Sequence, residues 1–283
     1  MTRGLAAFTE ASLPSATLVP DVTTQGASAQ SLFAGLETGA FTVGYMASGY
    51  LSGRVPSLGV LDVPFSVSDR SVAHARLDGP AGDRLRSDVE AATDLVVLAF
   101  WDNGFRHLTN RMRALQTPDD CRGLTVRTLN NALYQDTMRA IGFEPVVTDV
   151  KELVAACESG RVDAQENPLT NMLGFGLDRW HRHVSLTGHI FGVILLVAHK
   201  PWFAALPAQM RDRVMQAART AAESQRQAAA AEDAEGRAVL LDRGVTIQAA
   251  DAVDLAAFRA ATNTVRANAL ATLPDSLCQH YLG

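Results

Sequence analysis

The stretch of residues 153–169 restricts the fold more than any other part of the chain. It reads as a helix, a glycine stop at Gly160, a short strand and an Asn-Pro end at Asn167. A short apolar run over residues 124–127 likewise reads as a strand and ends at Arg127. We predict that Arg127 and Asn167 lie at the ends of neighbouring strands, where an open α/β sheet binds its ligand.

The residue type at position 127 indicates the kind of ligand. Arg127 is a permanent cation with a planar fork of five N–H donors, and this fork matches two carboxylate oxygens at once. The pattern therefore predicts a small ligand that carries a carboxylate group.

Length and composition favour a two-lobed binding protein over several other classes. A chain of 283 residues is long for one hydrophobic core and natural for two lobes. The net charge is −5 and the basic residues form no run, which argues against a nucleic-acid partner. No apolar stretch reaches the ~18 residues that a membrane helix needs. The three cysteines are widely spaced and form no CxxC pair, so no zinc or redox site is predicted.

Helices and short apolar strands alternate along most of the chain. In the first lobe we predict helices over residues 3–11, 28–38 and 71–91, and strands over residues 16–19, 41–46 and 94–101. In the second lobe we predict helices over residues 132–142 and 151–159, and strands over residues 124–127, 145–147, 162–165, 184–186 and 193–198. This alternation predicts an α/β fold of parallel sheets with helices on their faces.

A long helix is predicted over residues 207–243. Pro207 stands at the preferred first-turn position, and Gly244 ends the helix. Thirty-seven residues at 1.5 Å each span roughly 55 Å. Because this exceeds the width of one lobe, we expect the helix to run across both.

One internal similarity suggests that the two lobes share a building unit. Residues 32–39 and 153–160 have Leu, Ala, Glu and Gly in the same register, and a strand follows each. Two such units would present strand ends to a shared cleft, with Met46 as the counterpart of Asn167. A match this short also arises by chance, and the sequence leaves both explanations open.

The motifs of common enzyme and metal sites are missing from the sequence. There is no GxSxG, P-loop, HExxH or complete GxGxxG motif. His181 and His183 would converge on a metal only from a strand, and no acidic residue lies close by. His189 fits a hydrogen-bonded histidine of the core or of the cleft rim better than a catalyst. We therefore predict no catalysis, no metal and no cofactor.

Five segments point in order to one family. They are Leu61-Asp-Val-Pro-Phe65, Phe100-Trp-Asp-Asn-Gly-Phe-Arg-His-Leu-Thr-Asn110, Gly123-Leu-Thr-Val-Arg127, Asp163-Ala-Gln-Glu-Asn-Pro-Leu169 and Leu186-Thr-Gly-His-Ile190. Together they resemble the solute-binding proteins of tripartite ATP-independent periplasmic (TRAP) transporters, in the C4-dicarboxylate-binding branch. The resemblance covers nearly the whole chain, and the combination of Trp-Asp-Asn-Gly-Phe-Arg with Gln-Glu-Asn-Pro is highly specific.

The resemblance implies a periplasmic-binding-protein-like fold, with two α/β lobes that close on a small organic acid and one long helix that bridges them. Lobe I would comprise residues 1–104 with 193–232, and lobe II residues 105–192 with 233–283. The implied partner is a TRAP membrane permease, the implied location is the periplasm, and we expect a monomer. A ligand-sensing protein that docks on a receptor is the alternative.

The resemblance also implies roles for individual residues. Arg127 would make the main salt bridge to the ligand carboxylate, and Asn167 would orient that arginine or the carboxylate. Arg106 matches a second arginine near the ligand, although pairing with Asp102 or another acid would make it part of the scaffold. Asn130 matches a polar position just after the main arginine.

Four residues of the first lobe complete the predicted site. Met46 ends the strand over residues 41–46, Ser48 and Tyr50 follow it, and the three would tune specificity at the cleft edge. Phe65 would form either cleft wall or core.

The resemblance also implies a signal peptide and a strand before the opening helix. We therefore expect the first strand of lobe I to be absent from the chain as written.

Overall fold

A computed structural model gives the fold and describes residues 2–13, 15–19, 21, 22 and 26–283. Seven strands are present in this part of the chain: β1 Val43–Ala47, β2 Leu95–Asn110, β3 Thr125–Thr128, β4 Glu144–Val147, β5 Ala164–Asn167, β6 His183–His199 and β7 Thr246–Gln248. The first seven helices are α1 Thr2–Ser12, α2 Ala29–Glu37, α3 Arg70–Leu77, α4 Pro80–Ala92, α5 Ala132–Ala140, α6 Leu153–Ser159 and α7 Leu169–Gly174. The remaining helices are α8 Lys200–Ala205, α9 Ala208–Asp242, α10 Leu255–Ala261, α11 Asn263–Thr272 and α12 Asp275–Leu282.

All seven strands belong to one sheet that both lobes share. The strand order is β1-β6-β2-β5-β3-β4, and β7 pairs with β6. The long strands β2 and β6 are antiparallel from the Leu95–His199 pair to the Asn110–His183 pair. In the first lobe, β1 joins one end of β6. In the second lobe, β5 joins the other end of β2, and β3 and β4 follow. The two lobes are therefore connected by continuous strands.

The pairing corrects part of the predicted fold. Strands β3, β4 and β5 are parallel, as predicted. The first-lobe strands are antiparallel, so the prediction of a parallel sheet there is wrong. Residues 16–19 form no strand, although a strand is predicted there. The alternation of helices and strands along the sequence does not show whether two strands pair in parallel or antiparallel when they are far apart in the sequence.

Both faces of the first-lobe sheet are buried, which explains its continuous apolar strands. Leu195 packs in a cluster with residues of α2, α3 and α4, whereas Leu196 packs on the opposite face against α1 and α9. Leu277 and Tyr281 of α12 are buried in the first of these clusters. The predicted division placed this last helix in lobe II, together with the rest of residues 233–283, whereas these two side chains pack among first-lobe residues.

The long helix α9 forms as predicted, within one residue at each end. Its 35 residues span roughly 52 Å at 1.5 Å each. It packs on α1 and β2 in the first lobe and on α7 in the second. Where α7 crosses, a Cβ at Gly236 would lie 3.3 Å from Leu173 Cδ1, so the small residue permits the close approach.

Side chains of α9 form hydrogen bonds with the edge of β2 that no strand of the described residues covers. The amide of Gln225 accepts from the Asp102 backbone N–H at 2.8 Å and donates to the Asp102 carbonyl at 2.7 Å. Arg226 donates to the Phe100 carbonyl at 2.9 Å. Buried backbone groups need such partners, since an unpaired one costs the free energy of its desolvation. These contacts attach the long helix to the strand that enters both lobes.

We expect Gln225→Leu to lower the free energy of unfolding by roughly 2 kcal/mol or more, because it leaves two buried backbone groups of Asp102 unpaired. Urea denaturation followed by circular dichroism measures this change. The matched control is Gln227→Leu on the same helix, where the side chain is exposed. Equal stability of the two variants would show that the Gln225 contact contributes nothing.

Candidate ligand-binding cleft

A cavity of about 670 Å³ opens between the two lobes. Met46 and Tyr50 line it from the first lobe, and Arg127 and Asn167 line it from the second. Strands β3 and β5 are parallel neighbours with Arg127 opposite Gln165, so their carboxyl ends meet at the cavity. The predicted neighbouring strand ends are confirmed. Met46 and Asn167, which correspond in the internal similarity, line the same cavity.

Arg127 is a buried cation without an acidic partner in the part of the chain that the structure describes. Only 2% of the residue is exposed. Its Nε donates to the Thr148 carbonyl at 2.9 Å, and its Nη2 lies 3.5 Å from the Tyr50 hydroxyl. A buried charge is costly unless an opposite charge accompanies it. The remaining donors of Arg127 thus suit an anion in the cavity.

Arg106, by contrast, has a protein carboxylate as its partner. Its Nε and Nη2 contact the two Glu166 carboxylate oxygens at 2.5 and 2.7 Å. Its Nη2 also donates to the Glu166 carbonyl at 2.6 Å. Of the two alternatives for Arg106, the scaffold pairing is present, and the acid is Glu166 rather than Asp102. Arg106 nevertheless lines the cavity, with its guanidinium 5.3 Å from the centre of the Tyr134 ring.

Glu166 is fully buried behind the cavity wall. Burial alone would favour its protonated form, but the Arg106 charge and hydrogen bonds hold the pKa of the Glu166 carboxyl well below its usual range. His189 Nε2 lies 3.3 Å from Glu166, and His189 Nδ1 lies 2.7 Å from the Thr187 hydroxyl. His189 is therefore a hydrogen-bonded core histidine, which is one of the two structural roles that the sequence left open.

The amide of Asn167 is oriented by three neighbours. Its oxygen accepts from Arg106 at 3.2 Å and from Asn171 at 3.3 Å. Its nitrogen donates to the Gln165 side chain at 2.6 Å, which leaves one N–H for a ligand. Asn167 thus contacts Arg106, whereas the family resemblance implied that it orients Arg127 or the carboxylate.

The other predicted site residues divide between the cavity and its surroundings. Met46 and Tyr50 line the cavity, and Ser48 is buried beside them outside the lining. Phe65 packs in the core, where the Arg259 guanidinium lies 5.0 Å from its ring centre. Asn130 is exposed and lies outside the cavity. Core packing therefore accounts for Phe65, and solvent surrounds Asn130.

Sequence reasoning missed Asn103 and Asn171, which also line the cavity. The register of β2 against β6 shifts between Asp102 and Gly104, so Asn103 lies in a β-bulge. Gly104 has a φ of +104°, a conformation that favours glycine. The Asn-Gly pair at 103–104 was a usable signal for this turn of the backbone. Asn171, four residues after Asn167 on α7, had no comparable signal.

Asp62, a buried acid of the first lobe, contacts the second lobe beside the cleft. Asn131 Nδ2 lies 2.9 Å from the Asp62 carboxylate and donates a hydrogen bond to it. Burial raises the pKa of Asp62 from 3.8 to about 7. The Asn131 hydrogen bond and the Arg106 charge oppose the rise, and the Glu166 charge adds to it.

This raised pKa predicts a pH-dependent contribution to stability. The folded chain binds the Asp62 proton more tightly than the unfolded chain, so the contribution is complete below about pH 4 and is lost as the pH rises through 7. A shift of this size corresponds to something on the order of 4 kcal/mol. We expect Asp62→Asn to remove this component, which makes the free energy of unfolding less dependent on pH between 4 and 8.

Urea denaturation at a series of pH values tests this expectation. The control is Asp83→Asn, because the Asp83 side chain is 76% exposed on α4. An Asp62→Asn variant with the same pH profile as the wild type would contradict the assignment.

A family model described as bacterial extracellular solute-binding protein, family 7, matches residues 21–272. The chain belongs to this family. A solute-binding protein of Verminephrobacter eiseniae is 34% identical over 242 residues, which cover 86% of this chain and 71% of the relative. The 2,3-diketo-L-gulonate-binding periplasmic protein of Escherichia coli is 32% identical over 209 residues, which cover 74% of this chain and 63% of the relative.

Solved structures show the same two-lobed fold. A TRAP periplasmic solute-binding protein of Polaromonas sp. JS666, bound to D-erythronate, aligns with a TM-score of 0.90 and 25% identity, over 99% of this chain and 93% of its own. The sugar acid binding protein of Advenella mimigardefordensis, in complex with galactonate, aligns with a TM-score of 0.89 and 23% identity, over 99% and 91%. The predicted family and fold class are confirmed.

The family is one of transport proteins rather than of enzymes. The C4-dicarboxylate-binding proteins are one branch of it, represented by a Rhodobacter capsulatus protein that is 32% identical over 152 residues, or 54% of this chain and 45% of the relative.

Among the residues that the structure describes, no helix has the length and apolar character needed to cross a membrane. In the same part of the chain, no three His, Cys, Asp or Glu residues cluster as metal ligands would.

Proposed function

We propose that the protein captures a small organic acid between its lobes and delivers it to a TRAP membrane permease. The observation that carries this proposal is the buried guanidinium of Arg127, which faces a cavity and pairs with no carboxylate of the described chain. A ligand carboxylate would provide the missing negative charge. In a cleft that excludes water, this ion pair is stronger than it would be in bulk solvent.

The lining of the cavity favours a ligand that also carries hydroxyl groups. Asn103, Asn167 and Asn171 contribute amides that can both donate to and accept from a hydroxyl. Met46 and Ile194 add apolar surface for a carbon chain. Three of the proteins in the comparisons are described with galactonate, D-erythronate or 2,3-diketo-L-gulonate as their ligand, and these three acids are hydroxylated carboxylates. We therefore assign this chemical class to the ligand.

The same proposal covers location, partners and movement. The protein would work in the periplasm as a monomer without catalysis, and the permease would be its partner. Lobe I would comprise residues 1–104 and 193–232 together with α12, and lobe II the intervening residues and most of the C-terminal segment. A ligand that contacts both lobes favours the closed state by its differential affinity for that state.

We expect Arg127→Ala to weaken binding of the acid by about thirty-fold or more, because truncating one partner of a buried charge pair typically costs roughly 2–5 kcal/mol. Arg127→Lys should restore only part of the affinity, since an ammonium lacks the bidentate fork. Isothermal titration calorimetry with galactonate and D-erythronate measures both changes.

The matched control is Arg122→Ala, an arginine of the same lobe whose side chain is 77% exposed. A thermal-shift panel of organic acids identifies the best ligand first, since a ligand at 100 times its Kd stabilises the fold by about 2.7 kcal/mol. An Arg127→Ala variant that binds this ligand as tightly as the wild type would overturn the site.

A further inference from the structure

Three asparagine side chains that line the cavity form a chain of hydrogen bonds that begins at Arg106. Arg106 Nη2 lies 3.2 Å from the Asn167 amide. Asn167 in turn lies 3.3 Å from Asn171, and Asn171 lies 3.4 Å from Asn103. The three amides come from β5, α7 and the bulge of β2. They therefore form one network along the cavity wall.

The chemistry of Arg106 fixes the direction in which each of these amides points. A guanidinium can only donate, so the Asn167 atom that it contacts is the oxygen. This oxygen can only accept, so Asn171 contacts it with its nitrogen. The same nitrogen donates to the Asn103 oxygen with its second N–H. Both N–H groups of Asn171 are thus engaged within the protein.

The oxygen of Asn171 is the atom that this network leaves for a ligand. Within the described part of the chain, no donor contacts Asn171 Oδ1, and the half-buried side chain lines the cavity. An amide oxygen carries two lone pairs and no proton. The neighbouring Asn167, by contrast, has one N–H left. Asn167 therefore offers the ligand a donor, and Asn171 offers it an acceptor.

We propose that Asn171 determines specificity by requiring a hydroxyl group of the ligand as its hydrogen-bond donor. This inference rests on the proposed function and adds one requirement to the ligand. A hydroxyl has a proton to donate, whereas a carbonyl oxygen, a fluorine or a C–H group at the same place does not. An ammonium group also donates, but the buried charge of Arg127 in the same cavity repels a cation. The donor is therefore an uncharged hydroxyl.

The requirement follows from the hydration that the Asn171 oxygen loses. In solvent, water donates to this oxygen, and a ligand that fills the cavity displaces that water. A ligand without the hydroxyl leaves the oxygen buried and unpaired, which weakens binding. A ligand with a second acceptor there also brings two negative partial charges together. A site that bonds a hydroxyl therefore rejects the analogue that lacks it more strongly than an apolar pocket rejects a change of shape.

Galactonate and its monodeoxy analogues, each of which lacks a different hydroxyl, test the requirement. D-Erythronate with its own monodeoxy analogues provides a four-carbon set. In the set that the wild type binds more tightly, we expect loss of the hydroxyl that contacts Asn171 to raise the dissociation constant roughly ten-fold or more. The deoxyfluoro analogue at the same carbon should bind no better than the deoxy analogue, because fluorine cannot donate. Calorimetry near neutral pH measures each constant.

Asn171→Leu nearly keeps the size of the side chain and removes its oxygen. For one deoxy analogue, we expect the ratio of its dissociation constant to that of the parent acid to fall from roughly ten or more to about one, since the contact is already absent. Loss of the bonds to Asn103 and Asn167 alone would weaken the whole set alike and leave every ratio unchanged. The matched control is Asn268→Leu, an exposed asparagine of α11 that should keep all the wild-type constants.

The outcomes distinguish this inference from the proposed function. If a folded Asn171→Leu variant keeps every wild-type ratio, or if every deoxyfluoro analogue binds the wild type as tightly as the parent acid, the role of Asn171 is wrong and the proposed function stands. The same holds if the wild type binds butyrate or hexanoate as tightly as the hydroxylated acid of equal length. If the wild type binds no organic acid in a broad panel, the proposed function itself fails.

Thermal denaturation shows whether the Asn171→Leu variant is folded. If it is not, the wild type still decides the question through the fluorinated set. A deoxyfluoro analogue that is weakened to the level of its deoxy analogue supports a hydroxyl that donates to the protein, and a set without such an analogue overturns it.

Discussion

The antiparallel pairing of β2 with β6 is the constraint on which the rest of the structure depends. These strands have 16 and 17 residues and enter both lobes, so neither lobe has a sheet of its own. Three register shifts interrupt their pairing, and Asn103, which lines the cavity, lies at one of them. Along one edge of β2, where the described part of the chain provides no strand, side chains of α9 form the hydrogen bonds, and α9 also reaches the second lobe. Strand pairing and helix packing therefore position the cavity together.

The cleft derives its character from two buried arginines in opposite electrostatic states. Arg106 is compensated by Glu166, and this pair also holds Asn167 in place. Arg127 is held by a backbone carbonyl, which positions the guanidinium without neutralising it. A compensated charge acts as scaffold, whereas an uncompensated charge is a site for an anion. The same residue type thus has two roles, and its partner decides which.

Local signals in the sequence predicted many of the elements well. The pattern of α9, the glycine stop at Gly160 and the strands that end at Arg127 and Asn167 all depend on neighbouring residues, and all are present. The predictions for Ser48 and Phe65 rested on position along the chain, and the prediction for Asn130 rested on the family resemblance. The first two are buried outside the lining and Asn130 is exposed, because small rotations of the backbone decide which side chains reach a cavity.

The sequence by itself determined the family, the long helix, the parallel strands of the second lobe and the presence of an arginine and an asparagine at adjacent strand ends. Periodicity, caps and motifs carry this information within a few residues. Only the tertiary structure decided the antiparallel pairing of the first lobe, the packing of α12 on that lobe and the partner of Arg106. These depend on contacts between distant residues, such as Arg106 and Glu166 at a separation of 60 positions. No local pattern encodes such a contact, because it forms only when the chain has folded.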